Sequence, residues 1–132
     1  MVSITRDQRV AVSAEKAWLA LRDVGNAHCL FAPVLTSSTL DGDVRTVTFA
    51  DGMVVREKII DIDDNSCRVT YAVLDDLFKQ HSASMQILPV DENCCRFVWI
   101  SDFLPDENAE MVRPLVDLGA NALAFNLEQA DG

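Results

Sequence analysis

Between Val34 and Leu104 the chain reads as one strand after another, over 34–40, 44–50, 53–63, 67–74, 80–89 and 94–104. The breaks carry "DGD", "DG", "DDNS" and "DEN", residues that favour tight turns between neighbouring antiparallel strands. This pattern predicts a meander. In the last three of these strands, alternation sets Cys67, Val69, Tyr71, Val73, His81, Ala83, Met85, Ile87, Cys95, Phe97, Trp99 and Phe103 on one face. Arg68, Thr70, Ser82, Ser84, Gln86 and Arg96 fall on the other, so one face of the sheet meets water and the other needs a cover.

The cover comes from the C-terminus. A helix starting between Asp106 and Arg113 and ending near Glu128 has a narrow polar stripe of Glu110, Arg113, Asp117, Asn121 and Glu128, with nearly everything else apolar. Such a helix is expected to be embraced on most of its circumference. Pro114 either kinks or starts it, and Gly119 permits close approach of the sheet. Upstream, a strand over residues 2–12 precedes a helix capped by Ser13, with Ala14, Ala17, Trp18 and Leu21 on one face. "NAHCLFAP" predicts a second short helix or turn, stopped by Pro33.

One hairpin carries an anomaly. In "VRTVTFADGMVVREKII" a three-residue loop at Ala50-Asp51-Gly52 pairs Phe49 with Met53, Val47 with Val55, and Arg45 with Glu57. Arg45 and Glu57 therefore share the apolar face with Val47, Phe49, Val55 and Ile59, and are expected to point inward as a pair.

Charge and cysteine usage exclude several classes of partner. The 21 acidic and 11 basic side chains give a net charge of −10, which repels phosphate backbones and anionic lipid heads, so no nucleic-acid partner is expected. No run of eighteen apolar residues exists to span a membrane, and "MVSITRDQRV" lacks the features of a signal peptide; a cytoplasmic location is expected. Cys29, Cys67, Cys94 and Cys95 form no CxxC, and adjacent strand residues point to opposite faces. They are read as small apolar fillers, with no metal site and no cofactor.

The order strand, two short helices, six-strand meander and long helix resembles the helix-grip fold of the START-like (SRPBCC) superfamily, and within it the polyketide cyclase/dehydrase-like group. The resemblance is carried by "VSAEKAWLALRDV", "FAPVLTSS", "VRTVTFADGMVVREKIIDID", "CRVTYAVLD" and "FVWISDFLP", and covers essentially the whole chain. It implies an α+β fold in which a seven-stranded antiparallel curved sheet wraps around the C-terminal helix, with residues 1–132 forming a single ligand-binding domain. It also implies an apolar cavity between sheet and helix for a lipid, polyketide or aromatic molecule. The short chain implies that this cavity is small.

Within that frame the expected ligand-binding residues are Arg45, Phe49, Val55, Glu57, Tyr71, His81, Met85, Trp99, Leu115, Leu118 and Ala122. The Tyr71 hydroxyl is expected to reach the Arg45/Glu57 pair, whereas His28 and Asp102 are read as surface residues. A carrier or sensor of a small hydrophobic molecule is the leading expectation. An alternative is a cyclase or dehydratase in which Glu57 or His81 moves a proton and Arg45 stabilises an enolate. A protein-interaction module using the acidic surface is the third.

Overall fold

In the computed structural model, which describes residues 1–131, the strands are β1 (Val2–Val10), β2 (Leu35–Asp41), β3 (Val44–Phe49), β4 (Val54–Asp63), β5 (Arg68–Val73), β6 (Gln80–Asp91) and β7 (Cys94–Leu104). They form one sheet in the order β1-β7-β6-β5-β4-β3-β2, every adjacent pair antiparallel. The meander runs from β2 to β7, and β1 closes against the last strand. Helices α1 (Ala14–Leu21) and α2 (Ala27–Leu30), separated by a helical turn at Val24–Asn26, lie between β1 and β2. The long helix α3 (Ala109–Asp131) ends the chain, giving the expected helix-grip arrangement.

Local chemistry sets each joint. Ser13 Oγ accepts from the Lys16 amide at 3.2 Å and caps α1. The β3–β4 loop is the three-residue form, with the Gly52 amide on Phe49 O at 2.9 Å and the Phe49 amide on Met53 O at 2.8 Å. Gly52 has φ +94°, a conformation that side chains oppose. The resulting register pairs Val47 with Val55 and Arg45 with Glu57. Cys67, expected as the first inward residue of its strand, instead occupies the β4–β5 turn at φ +53°, and β5 begins one residue later.

The core joins the concave face of the sheet to α3. Val10, Ile87, Phe97 and Leu123 are fully buried in its larger part. Ile4, Phe103, Val112 and Val116 form a smaller cluster near the start of α3, and Trp99 packs against both. The polar stripe of α3 faces β1 as well as water: Arg6 donates to Asp117 Oδ1 at 2.8 Å and Asn121 Oδ1 at 3.0 Å, and the Ala11 amide donates to Glu128 Oε1 at 3.0 Å.

Four expectations are corrected here. Helix α3 runs through Pro114 rather than starting there; Pro114 sits on the exposed side, where the carbonyl it leaves without a donor can be solvated. The helix is less enclosed than expected, with Leu118 and Phe125 on its outer face 56% and 61% exposed. The cysteines are not uniformly fillers: Cys95 is buried but Cys29 is exposed. His28 is half-buried, its Nδ1 2.7 Å from Ser38 Oγ. Among the described residues no helix is long and apolar enough to cross a membrane.

Candidate functional site

Arg45 and Glu57 face into the grip as one unit. Arg45 Nε and Nη2 both donate to Glu57 Oε1, at 2.9 and 2.8 Å, and Nη1 donates to the Val24 carbonyl at 3.3 Å. Both side chains are nearly sealed from solvent, at 7% and 11% exposure. Burial raises the Glu57 carboxyl above the ordinary range, opposed by the charge and hydrogen bond of Arg45.

Beside this pair the Arg45 guanidinium lies 5.4 Å from the centre of the Tyr71 ring, a cation–π contact. The Tyr71 hydroxyl, expected to reach the ion pair, instead accepts from Trp99 Nε1 at 3.1 Å. Burial and the nearby Glu57 charge push its ionisation well above the usual value. Further along the sheet, His81 Nδ1 accepts from the Val73 amide at 3.1 Å and Nε2 lies 3.3 Å from Ser101 Oγ. The imidazole is held between Phe78 and Tyr71, with ring centres 4.8 and 5.9 Å away. Its pKa is lowered to about 4 by burial, opposed by the charge of Asp102. Asp102 itself is half-buried and bonded to Ser3 across the β1–β7 pair.

These groups border a cavity of about 110 Å³ between the sheet and α3. Of the residues expected there, Arg45, Phe49, Val55, Glu57, Tyr71, His81, Met85, Trp99 and Leu115 line it. Two do not. Leu118 faces solvent and Ala122 is half-buried off the cavity wall, because α3 turns Val112, Val116, Ala120 and Leu123 inward. Sequence reasoning missed Ser101, Phe31, Phe78, Met111 and Gly119, all on the lining. Ser101 had a signal: it occupies the same parity as Phe97, Trp99 and Phe103, and is 3% exposed.

Leu77 and Phe78 border the cavity from the β5–β6 connection, and Met111 and Leu115 border it from α3. Asn108 Nδ2 donates to the Leu77 carbonyl at 2.8 Å and ties that connection to the turn before α3. Among the described residues no group of three His, Cys, Asp or Glu side chains is placed to hold a metal. The chemistry on offer is an apolar enclosure bordered by an ion pair and by hydroxyl and imidazole groups.

A family model described as polyketide cyclase/dehydrase and lipid transport matches residues 1–129. No curated protein sequence matches the chain significantly. Among solved structures, the protein XoxI from Bacillus cereus is 21% identical with TM-score 0.87, covering 100% of this chain and 99% of its own. A protein from Thermobifida fusca solved in solution is 25% identical with TM-score 0.80, covering 98% and 95%. The norcoclaurine synthase of Thalictrum flavum, solved with dopamine and hydroxybenzaldehyde, is 20% identical with TM-score 0.75, covering 98% and 85%.

Proposed function

The chain belongs to the polyketide cyclase/dehydrase and lipid transport family, and on that premise we propose that it is one ligand-binding unit, which takes a small, mostly apolar molecule into the cavity between the sheet and α3. The observation that carries this reading is the open space beside a buried ion pair in an otherwise apolar enclosure. A few convergent polar groups in an apolar pocket are the usual composition of a small-molecule site.

Size narrows the ligand. At ~10–15 Å³ for each water-sized group, about 110 Å³ holds on the order of ten non-hydrogen atoms, a substituted single ring. A sterol or long acyl chain requires the cavity to widen. The test is a thermal-shift panel of single-ring aromatics, fatty acids, sterols and aromatic polyketides. A ligand at one hundred times its Kd stabilises the folded state by ~2.7 kcal/mol, a rise of several degrees for a domain of this size. Single-ring compounds are expected to raise the midpoint most; no shift with any compound would overturn the reading.

A second reading, catalysis, is favoured by one observation: the raised Glu57 carboxyl borders the cavity next to a fixed cation. Shifted titrating groups in clefts are candidates for proton transfer. In that reading Glu57 moves a proton next to a carbonyl and Arg45 stabilises the resulting oxyanion. Glu57→Gln should then abolish turnover of a bound ketone while leaving its binding measurable; unchanged turnover would remove Glu57 from the chemistry.

A further inference from the structure

The direction of hydrogen bonding around His81 is fixed by a group that has no choice. A backbone amide only donates, so the Val73 N–H at 3.1 Å makes Nδ1 an acceptor and leaves the single proton of the neutral ring on Nε2. Nε2–H therefore donates to Ser101 Oγ at 3.3 Å. The ring nitrogen that could take a proton is occupied by the Val73 amide, and the other already carries one.

The serine hydroxyl is thereby oriented. One of its lone pairs receives the His81 proton, so its own proton is directed elsewhere, and Ser101 borders the cavity while almost wholly buried. The same logic holds at Tyr71, whose oxygen accepts from Trp99 Nε1 and whose proton remains to be donated. Hydroxyls that accept on one side are stronger donors on the other. The carboxylate of Glu57 lies on β4, three strands away from Ser101 in the sheet order.

We propose that Ser101 is a specificity-determining residue of the cavity, positioned by His81 as a one-way hydrogen-bond donor, and that the site selects an occupant with a neutral oxygen acceptor, such as a ketone or ether, facing β5–β7. This rests on the cavity being a binding site. It assigns His81 a positioning role and excludes it as the proton acceptor.

The experiment compares two probes of nearly equal shape, acetophenone and α-methylstyrene, titrated into the full-length ¹⁵N-labelled protein and followed by NMR. One net hydrogen bond predicts roughly two- to tenfold tighter binding of acetophenone. Ser101→Ala should bring that ratio close to one while α-methylstyrene binds as before, which also shows that the variant is folded. A long-range ¹H–¹⁵N spectrum of unmodified protein should show His81 protonated at Nε2 and bare at Nδ1. Equal affinities, a preference that survives Ser101→Ala, or a proton on Nδ1 would each overturn the inference alone. If neither probe perturbs residues lining the cavity, the inference is overturned, while the binding reading stands or falls on the thermal-shift panel.

Discussion

Gly119 of α3 lies against the Trp99 ring of β7 so closely that a Cβ there would stand 2.9 Å from Cζ3 and 3.2 Å from Cη2. The indole has little freedom to retreat. Its Nε1 is bonded to Tyr71, and its ring is flanked by Phe31 and Phe97 with centres 5.9 and 6.0 Å away. Replacing glycine by alanine inside a helix ordinarily gains ~1 kcal/mol, whereas overpacking a core costs ~1 to 3 kcal/mol. Gly119→Ala is therefore expected to destabilise by a net ~0 to 2 kcal/mol in urea unfolding. In a Trp99→Leu background the same substitution should become neutral or stabilising. Independence of the two changes would show that the contact does not limit how near α3 comes to the sheet.

The Arg45–Glu57 pair makes an asymmetric prediction. Removing one partner of a buried pair leaves an uncompensated charge and costs ~3 to 5 kcal/mol, while replacing both by apolar residues of similar volume is often close to neutral. Glu57→Ala should fall in the first class. Arg45→Met with Glu57→Leu should recover most of the loss, short of full recovery because Arg45 also holds the Val24 carbonyl. Denaturant midpoints of the single and double variants form the test. A single-variant loss under about 1 kcal/mol would mean the pair behaves as a solvated one.

The inward placement of that pair was legible because the hairpin loop leaves one register open. With Ala50, Asp51 and Gly52 in the loop, Arg45 opposite Glu57 follows from counting, and the observed pairing agrees. Strict parity also places Ser101 on the inner face, but a serine gives no apolar signal there. Leu118 is harder to place for a different reason. In a helix apolar nearly all round, periodicity offers too little contrast to choose the buried side, and the contacts with the sheet decide. The Tyr71–Trp99 bond joins β5 to β7 across β6. Alternation places both rings on the inner face, yet it is silent on where their polar tips meet.

The last prediction concerns pH. Burial lowers His81 to about 4 in the folded protein, against ~6.5 for an unperturbed histidine. Between these values the unfolded chain binds a proton that the folded chain refuses, so stability rises with pH across this window. The contribution is complete above about pH 6.5 and is lost as the pH falls toward about 4. Because the ring is partly exposed, the full shift is discounted to on the order of 2 kcal/mol. The charged or titrating groups nearest the ring are Asp102 on β7, which favours its protonation, and Tyr71 on β5, which stays neutral throughout. Glu57 acts with the opposite sign: its raised folded pKa means that the folded state takes up a proton more readily than the unfolded one as the pH falls. A single pH series would mix the two terms, so the comparison needed is with His81→Gln, whose amide can accept from Val73 and donate to Ser101 without titrating. Urea unfolding at about pH 7, 6 and 5 should show the natural protein losing stability relative to the variant as the pH drops. Parallel curves for the two proteins would mean that His81 is not held neutral by its burial, and would remove the premise that its Nε2 proton orients Ser101.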